Sequence, residues 1–257
     1  MKNNTYSKSN IRQAVLLAAG RGSRLDPFTA ELPKCLVRVG EQSILVRLLE
    51  ELESFGIEKV ILVHGYKGDL IMEAIGPLWK SMNIEYVENN AWSQSNNMYS
   101  LFLASPHIDG DFLLCESDIL LEPGGLKGLE QANKAAVSPF TVGMSGSSLL
   151  TDQNGKVVSM KVSSNHDHSP DLPFKTVNIY SLDYNSYRSS ILPIMKTQVQ
   201  EGDLNVFYEL AIAKAIDKNR LCLQAIDFSQ RQWIEVDSPD DLEKARLMFE
   251  IAKKEVV

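Results

Sequence analysis

A short apolar run, Ala14-Val15-Leu16-Leu17-Ala18, ends in Ala19-Gly20-Arg21-Gly22-Ser23-Arg24-Leu25, and Pro33-Lys34 follows. The run has the length of one buried parallel strand. Glycine lets backbone pass close to a ligand, and Arg21, Arg24 and Lys34 gather three positive charges beyond the strand's C-terminal end. In open α/β sheets that edge is where ligands bind. Backbone N–H groups together with cations suit a polyphosphate. The dinucleotide fingerprint is excluded because Leu25 stands where its third glycine belongs, and no Gly-Lys-Ser or Gly-Lys-Thr completes a Walker A loop.

Carboxylates close two other apolar runs. Asp118 follows Phe112-Leu113-Leu114-Cys115-Glu116-Ser117, and Trp233-Ile234-Glu235-Val236-Asp237 precedes Ser238-Pro239. In a parallel sheet Asp118 lies beside the first loop; taken alone it reads first as a turn residue or helix cap. Glu235 and Asp237 are two apart and face the same side of a strand, although Asp237-Ser238 also suits the start of a helix.

The elements that must position these groups alternate. Strands are expected at Ala14 to Ala18, Lys59 to His64, Ile84 to Glu88 and Asp111 to Cys115, with helices at Ser43 to Phe55, from about Asp69, and at Asn97 to Ser105. Further on, Ser138 to Val142, Val157 to Val162, Thr176 to Leu182, Leu221 to Ile226 and Gln232 to Val236 read as strands. Tyr184 to Gln200, Val206 to Ile216 and the segment after Ser238 read as helices, and Asp152 to Gly155 as a hairpin turn. Alternation of this kind predicts a parallel sheet covered on both faces. Among 257 residues, 44% are hydrophobic and the net charge is −7, which fits a globular chain and disfavours a nucleic-acid surface. The three cysteines form no C-x-x-C pair, and no apolar run reaches the length of a membrane span. A cytoplasmic protein without membrane insertion is expected. The polar residues 1–10 lack a signal-peptide core and read as a disordered extension. Ser163 to Pro173, with His166 and His168, reads as a mobile polar loop rather than a metal site.

The run Leu17 to Lys34 resembles the signature of the sugar-phosphate nucleotidyltransferases and their small-headgroup relatives, the bacterial phosphocholine cytidylyltransferases. The resemblance extends in segment order from about Gln13 to the last helix. It implies an α/β, Rossmann-like mixed, mostly parallel sheet flanked by helices, of the nucleotide-diphospho-sugar transferase type, with an inserted acceptor-binding subregion. One domain over 11–257 is expected, with 11–135 mainly binding nucleotide and 136–257 supplying the acceptor side and a second metal carboxylate. The implied reaction joins a nucleoside triphosphate to a phosphorylated acceptor and releases pyrophosphate. The resemblance assigns Lys34 and Arg24 as catalytic cations. Leu17, Ala18, Ala19, Gly20, Gly22, Ser100 and the Gly65-Tyr66 turn are expected at the nucleotide. Asp118 and Asp237, with Glu235 beside them, are expected to hold Mg²⁺, a hard ion that takes carboxylate oxygens.

Ser95-Asn96-Asn97-Met98-Tyr99-Ser100-Leu101 resembles the N-N-x-Y-S-L segment of the cytidylyltransferases, which implies CTP. Lys175-Thr176-Val177-Asn178-Ile179-Tyr180 resembles their acceptor-side strand and lacks the glycine that sugar enzymes carry there. Asn97, Lys161, Lys175 and Asn178 are therefore expected at a phosphocholine-type or phosphonate acceptor; both lysines also read as solvated strand-edge residues. A quaternary ammonium would want an aromatic cage, with Trp92, Tyr99, Tyr180 and Trp233 as candidates. A primary amine would want carboxylates, from Glu209 or from Asp203 with Asn205. A sugar- or polyol-phosphate enzyme using UTP, dTTP or CTP, and a non-catalytic nucleotide-binding subunit, stand as alternatives. A homodimer is compatible with the sequence.

Overall fold

The computed structural model describes residues 10–141, 144–162 and 173–251. The expected extension, apart from Asn10, and the loop with His166 and His168, apart from Pro173, lie outside the described residues.

Strands β1 (Gln13–Ala18), β2 (Lys59–His64), β3 (Met82–Glu88) and β4 (Phe112–Glu116) run parallel in the order β3-β2-β1-β4. Helix α1 (Ile44–Phe55) links β1 to β2, α2 (Gly68–Ile75) links β2 to β3, and α3 (Asn97–Ala104) links β3 to β4. The sequence marks the ends of α1. Ser43 Oγ accepts from Val46 N at 3.2 Å, and Gly56 takes φ 103°, a left-handed C-terminal cap that glycine adopts without a Cβ clash. Along β1, Val15 and Leu17 enter the core on the α3 face, while Ala14, Leu16 and Ala18 pack on the α1 face. Burial on both faces accounts for the unbroken apolar run.

After β4 come β5 (Ile119–Leu121), β6 (Lys134–Pro139), β7 (Ser148–Thr151), β8 (Val157–Lys161) and β9 (Phe174–Leu182). Helices α4 (Leu192–Gln200) and α5 (Tyr208–Asp217), strands β10 (Gln224–Asp227) and β11 (Trp233–Glu235), and α6 (Pro239–Ile251) complete the chain. Strand β9 pairs antiparallel with β4, β6 and β7, so the main sheet of ten strands is mixed and runs through both halves. Its order is β8-β7-β9-β4-β1-β2-β3 and then the short Leu78–Trp79, with β6 and β10 branching from β9. Among the described residues no helix is long and apolar enough to cross a membrane.

Several boundaries differ from expectation. The strand expected over 138–142 lies at Lys134–Pro139, where Ala135, Ala136 and Val137 are buried although alanine is a weak strand signal. Strand β10 starts at Gln224, three residues later than expected, and the edge-side strand β7 was not expected at all. The long helix over 184–200 is interrupted. Pro193 has no N–H for the carbonyl four residues earlier, and the chain widens into a π turn at Tyr187–Ile191 before α4.

Candidate active site

The strand order reverses between β1 and β4, and a crevice opens at their C-terminal ends, where Leu17 lies in register with Glu116. A cavity of about 390 Å³ occupies this place. Leu17, Ala18, Ala19 and Gly20 form one wall. A Cβ placed on Gly20 would meet nothing within 4 Å, so this backbone stands open to a ligand, whereas a Cβ on Gly22 (φ 70°) would lie 2.7 Å from the Lys34 stem. Gly22 is therefore required for Lys34 to cross the loop. The lysine sits in a 3₁₀ turn, Lys34–Leu36, anchored by the buried Cys35 and Leu36.

The carboxylates of Asp118 and Asp237, far apart in sequence, meet through a second small sheet. β5 leaves β4 directly after Asp118 and pairs antiparallel with β11, with Ile119 opposite Glu235. Val236 N donates to Asp118 O at 3.0 Å, which sets Asp237 beside Asp118. Lys34 Nζ then bridges Asp118 Oδ2 at 2.7 Å and Asp237 Oδ1 at 2.6 Å, and Arg24 reaches Asp237 Oδ1 at 2.8 Å. Burial works against the Lys34 charge, but the two carboxylates outweigh it and hold its pKa above the ordinary lysine value. Burial likewise opposes the Asp237 charge, and Lys34 and then Arg24 overcome it, so that carboxyl titrates below its usual range.

Asp118, Glu235 and Asp237 each offer a carboxylate oxygen within 4.8 Å of the others. Asp118 Oδ1 is buried without a hydrogen-bond partner. A set of hard oxygens with one unsatisfied atom fits a divalent cation such as Mg²⁺. Glu235 is steadied from behind. Lys175 Nζ donates to its Oε2 at 2.8 Å, Asn178 Nδ2 approaches its Oε1 at 3.4 Å, and Thr176 Oγ1 donates to Asn178 Oδ1 at 2.7 Å. Burial raises the Glu235 pKa, with Lys175 partly opposing it.

Deeper in the cavity, Asn97 at the start of α3 donates through Nδ2 to Glu116 Oε1 at 2.9 Å and approaches Glu209 Oε2 at 3.4 Å. Its Oδ1 accepts from Tyr208 N at 2.9 Å, which fixes the amide's orientation. Burial pushes the Glu209 carboxyl up to about 7. Burial, then the Asp118 and Glu209 charges, pushes Glu116 well above the usual carboxylate range. Ser100 accepts from Asn89 Nδ2 at 3.0 Å on the same wall.

Of the expected residues, the cavity gathers Leu17 to Gly20, Gly22, Arg24 and Lys34 from the first loop, and Asn97 and Ser100 from α3. Asp118, Asn178, Glu235 and Asp237 complete it. Four expected residues do not line it. Gly65 packs behind the first loop, where a Cβ would lie 2.6 Å from Trp92 Cβ and 2.8 Å from Ala19 O. Tyr66 N donates to Ala19 O at 2.9 Å, and its hydroxyl bonds to the Thr29 and Ala30 carbonyls at 3.0 and 2.6 Å, so this turn braces the loop from outside. Lys161 is exposed at the end of outer strand β8. Lys175 is buried as the counterion of Glu235 and faces a neighbouring cavity of about 670 Å³. Arg21 is likewise drawn away, to Asp26 Oδ2 at 2.8 Å. Sequence reasoning missed Asn89, Phe207 and Ser145-Gly146-Ser147, loop and turn residues without a periodic signal.

The model of the MobA-like NTP transferase domain matches residues 14–142. Over 242 residues, 92% of this chain, the sequence is 31% identical to CMP-5'-(3-aminopropyl)phosphonate synthase of Streptomyces rubellomurinus and covers 38% of that protein. The chain spans about a quarter to a half of the length of the curated relatives it matches. The CTP:phosphocholine cytidylyltransferase of Streptococcus pneumoniae superposes with a TM-score of 0.76 at 21% identity, covering 94% of this chain and 100% of that one. The inositol-1-phosphate CTP transferase of T. maritima gives 0.74 at 23%, covering 96% and 98%. These likenesses show a shared fold of the nucleotide-diphospho-sugar transferase type.

Proposed function

The chain belongs to the MobA-like NTP transferase domain family, and on that premise we propose that it is a Mg²⁺-dependent cytidylyltransferase. It moves CMP from CTP to a small phosphate or phosphonate monoester of the phosphocholine or 2-aminoethylphosphonate type. Supporting the choice of CTP and acceptor are the names of its relatives and the N-N-x-Y-S-L segment at 96–101. One observation carries the reading: Lys34 held between Asp118 and Asp237, with Glu235 in reach, beside the open Gly20 backbone at the β1/β4 crevice.

An acceptor oxygen attacks the α-phosphorus in line. A new P–O bond forms to it, the bond from the α-phosphorus to the bridging oxygen breaks, and that oxygen leaves with its electron pair as part of pyrophosphate. The acceptor oxyanion is already a nucleophile near neutral pH, so no proton need move. The work left to the protein is placement and neutralisation of charge. Mg²⁺, which Asp118, Glu235 and Asp237 would hold, supplies positive charge against the phosphates when bound. Lys34, kept cationic by its neighbours, stabilises charge at the α-phosphate. Arg24, with its guanidinium fork, takes the leaving β- and γ-phosphates. The backbone of 17–20 receives the nucleotide, and residues 136–257 supply the acceptor side with Glu235 and Asp237.

The test is pyrophosphate release with Mg²⁺, crossing four nucleoside triphosphates with phosphocholine, 2-aminoethylphosphonate, phosphoethanolamine and glucose 1-phosphate. Turnover with CTP and an amine-bearing acceptor is expected. Turnover restricted to UTP or dTTP with glucose 1-phosphate refutes the proposal.

A further inference from the structure

Resting on the transfer reaction above, we propose that Glu51 is a positioning residue: with Arg231 it clamps the turn after β5 and so sets the three-carboxylate group in register with Lys34. Glu51 lies outside both cavities, in the middle of α1. It is 7% exposed and stands on the row of the helix that Ile44, Leu48 and Phe55 fill with apolar side chains. A carboxylate withdrawn from water is costly unless it is well bonded. Here both oxygens accept from the backbone of one turn, Oε2 from Gly124 N at 3.1 Å and Oε1 from Leu126 N at 3.3 Å.

Arg231 holds the same turn by its carbonyls. Its Nη1 donates to Gly125 O and to Lys127 O, both at 2.7 Å, and its guanidinium lies over the Phe228 ring at 4.0 Å. The residue after Arg231 extends the small ladder, since Glu122 N donates to Gln232 O at 2.9 Å. Gly125 N donates to Glu122 O at 2.9 Å, and a Cβ on Gly125 would lie 2.9 Å from that same carbonyl, so the turn is tight. Both strands that bring the carboxylates together are thus tied to one turn: β5, which follows Asp118, and β11, which ends in Glu235 just before Asp237.

The other end of α1 is tied to the cation. Ile44 N donates to Val37 O at 3.1 Å and Arg47 Nη2 to Val39 O at 2.9 Å, so the helix starts from the segment that the Lys34–Leu36 turn opens. Leu36 shares one apolar cluster with Leu45 and Leu49 of the helix and with Ile119 and Leu126 around the clamped turn. About two turns of helix separate Ile44 from Glu51, and a hydrogen-bonded helix carries position along its axis with little give. The contacts of Lys34 Nζ with Asp118 at 2.7 Å and Asp237 at 2.6 Å hold only while helix and ladder keep this offset. A misplacement of about 1 Å in a reacting group can cost about a hundredfold in rate.

The experiment uses Glu51→Gln and Arg231→Lys. Glutamine keeps the shape of Glu51 with one accepting oxygen instead of two, and lysine keeps the Arg231 charge without its fork. Pyrophosphate release, with the acceptor that turns over fastest, gives kcat and the KM for CTP. Mn²⁺ binding to the full chain, loaded with the unreactive α,β-methylene analogue of CTP, is read by paramagnetic resonance. Both are measured well below each variant's unfolding temperature, where lost stability alone leaves the chain folded and moves neither readout. In each variant kcat and Mn²⁺ affinity should fall by about tenfold to a hundredfold. The KM for CTP should stay within about twofold of the wild type, because the backbone of 17–20 follows β1 and lies outside the clamp. Arg231→Lys carries the test should Glu51→Gln fail to fold. Wild-type kcat and Mn²⁺ affinity in a folded variant overturn the clamp and leave the transfer reaction standing, as does a KM for CTP that rises as far as kcat falls. Mn²⁺ binding that weakens in the variants, with no pyrophosphate release from the wild type, keeps the clamp and overturns the transfer. A wild type that neither binds Mn²⁺ nor releases pyrophosphate overturns both.

Discussion

Glu209→Gln should flatten the dependence of stability on pH. The wild-type carboxyl is 4% exposed and faces Glu116 from β4, Asn97 from α3, Lys175 from β9 and Glu235 from β11. Burial raises it from 4.5 to about 7, so ionising it costs about 3 kcal/mol more in the folded chain than in the unfolded one. A folded pKa raised above the unfolded one means that the folded protein binds more protons over that interval. The associated stability is fully present below about pH 4.5 and is lost as pH rises through about 7. Glutamine keeps the shape and an oxygen for Asn97 but cannot ionise. Between about pH 5.5 and about pH 8, the wild type should lose about 2 kcal/mol more than the variant. Removing the Glu209 charge also relieves Glu116, which adds in the same direction. Urea unfolding of both proteins at the two pH values gives the difference directly. Parallel losses, with a constant gap between the proteins, would refute the assignment of a buried, proton-holding acid to this position.

Lys34→Ala should lower kcat by about tenfold to a thousandfold, the cost of deleting one preorganised charge donor, as measured by pyrophosphate release at saturating substrates. Asp237→Asn weakens the three-carboxylate group; the rise in Tm that Mg²⁺ gives the wild type should disappear, as read by thermal unfolding with the metal and with EDTA. Gly65→Ala places a Cβ 2.6 Å from Trp92 Cβ and 2.8 Å from the Ala19 carbonyl, so the surrounding backbone has to shift. It should cost about 1–3 kcal/mol of stability and raise the KM for CTP by shifting the Ala18-Ala19-Gly20 wall. Ser238 caps α6 by exchanging bonds with Asp241, its Oγ donating to Oδ2 at 2.7 Å while accepting from Asp241 N at 3.3 Å. Ser238→Ala should lower stability by about 1 kcal/mol in urea unfolding.

The first half of the fold was legible because its strands are buried on both faces and its helices carry end signals such as Ser43 and Gly56. The loop after β1 was legible for a related reason: its residues follow the end of the strand directly, so placing the strand places the loop. What escaped depended on pairing. Gly65 and Tyr66 end a neighbouring strand at the same sheet edge, yet the Tyr66 hydroxyl turns to two loop carbonyls, a choice of partner that spacing does not encode. Lys161 and Lys175 were both expected at the acceptor, but β8 lies at the outside of the sheet. On β9 the alternation breaks, since Asn178 has φ 58° and the register with β6 shifts between Thr176 and Tyr180. That bulge turns Asn178 into the cavity and leaves Lys175 behind Glu235. Ser145-Gly146-Ser147 had no signal to read, because a loop that lines a pocket needs no periodicity.

The pairing of β5 with β11 makes the proposed site depend on two segments far apart in the sequence. Asp118 is in place once the parallel strands have assembled, but Glu235 and Asp237 arrive only when a segment from the last tenth of the sequence closes across the first half. Contacts of such separation form late, since loop closure precedes their reward. A polypeptide that ends before β11 can own the loop after β1 and most of its sheet without the three-carboxylate group. The short ladder thus acts as a latch on the proposed site, which β11 closes.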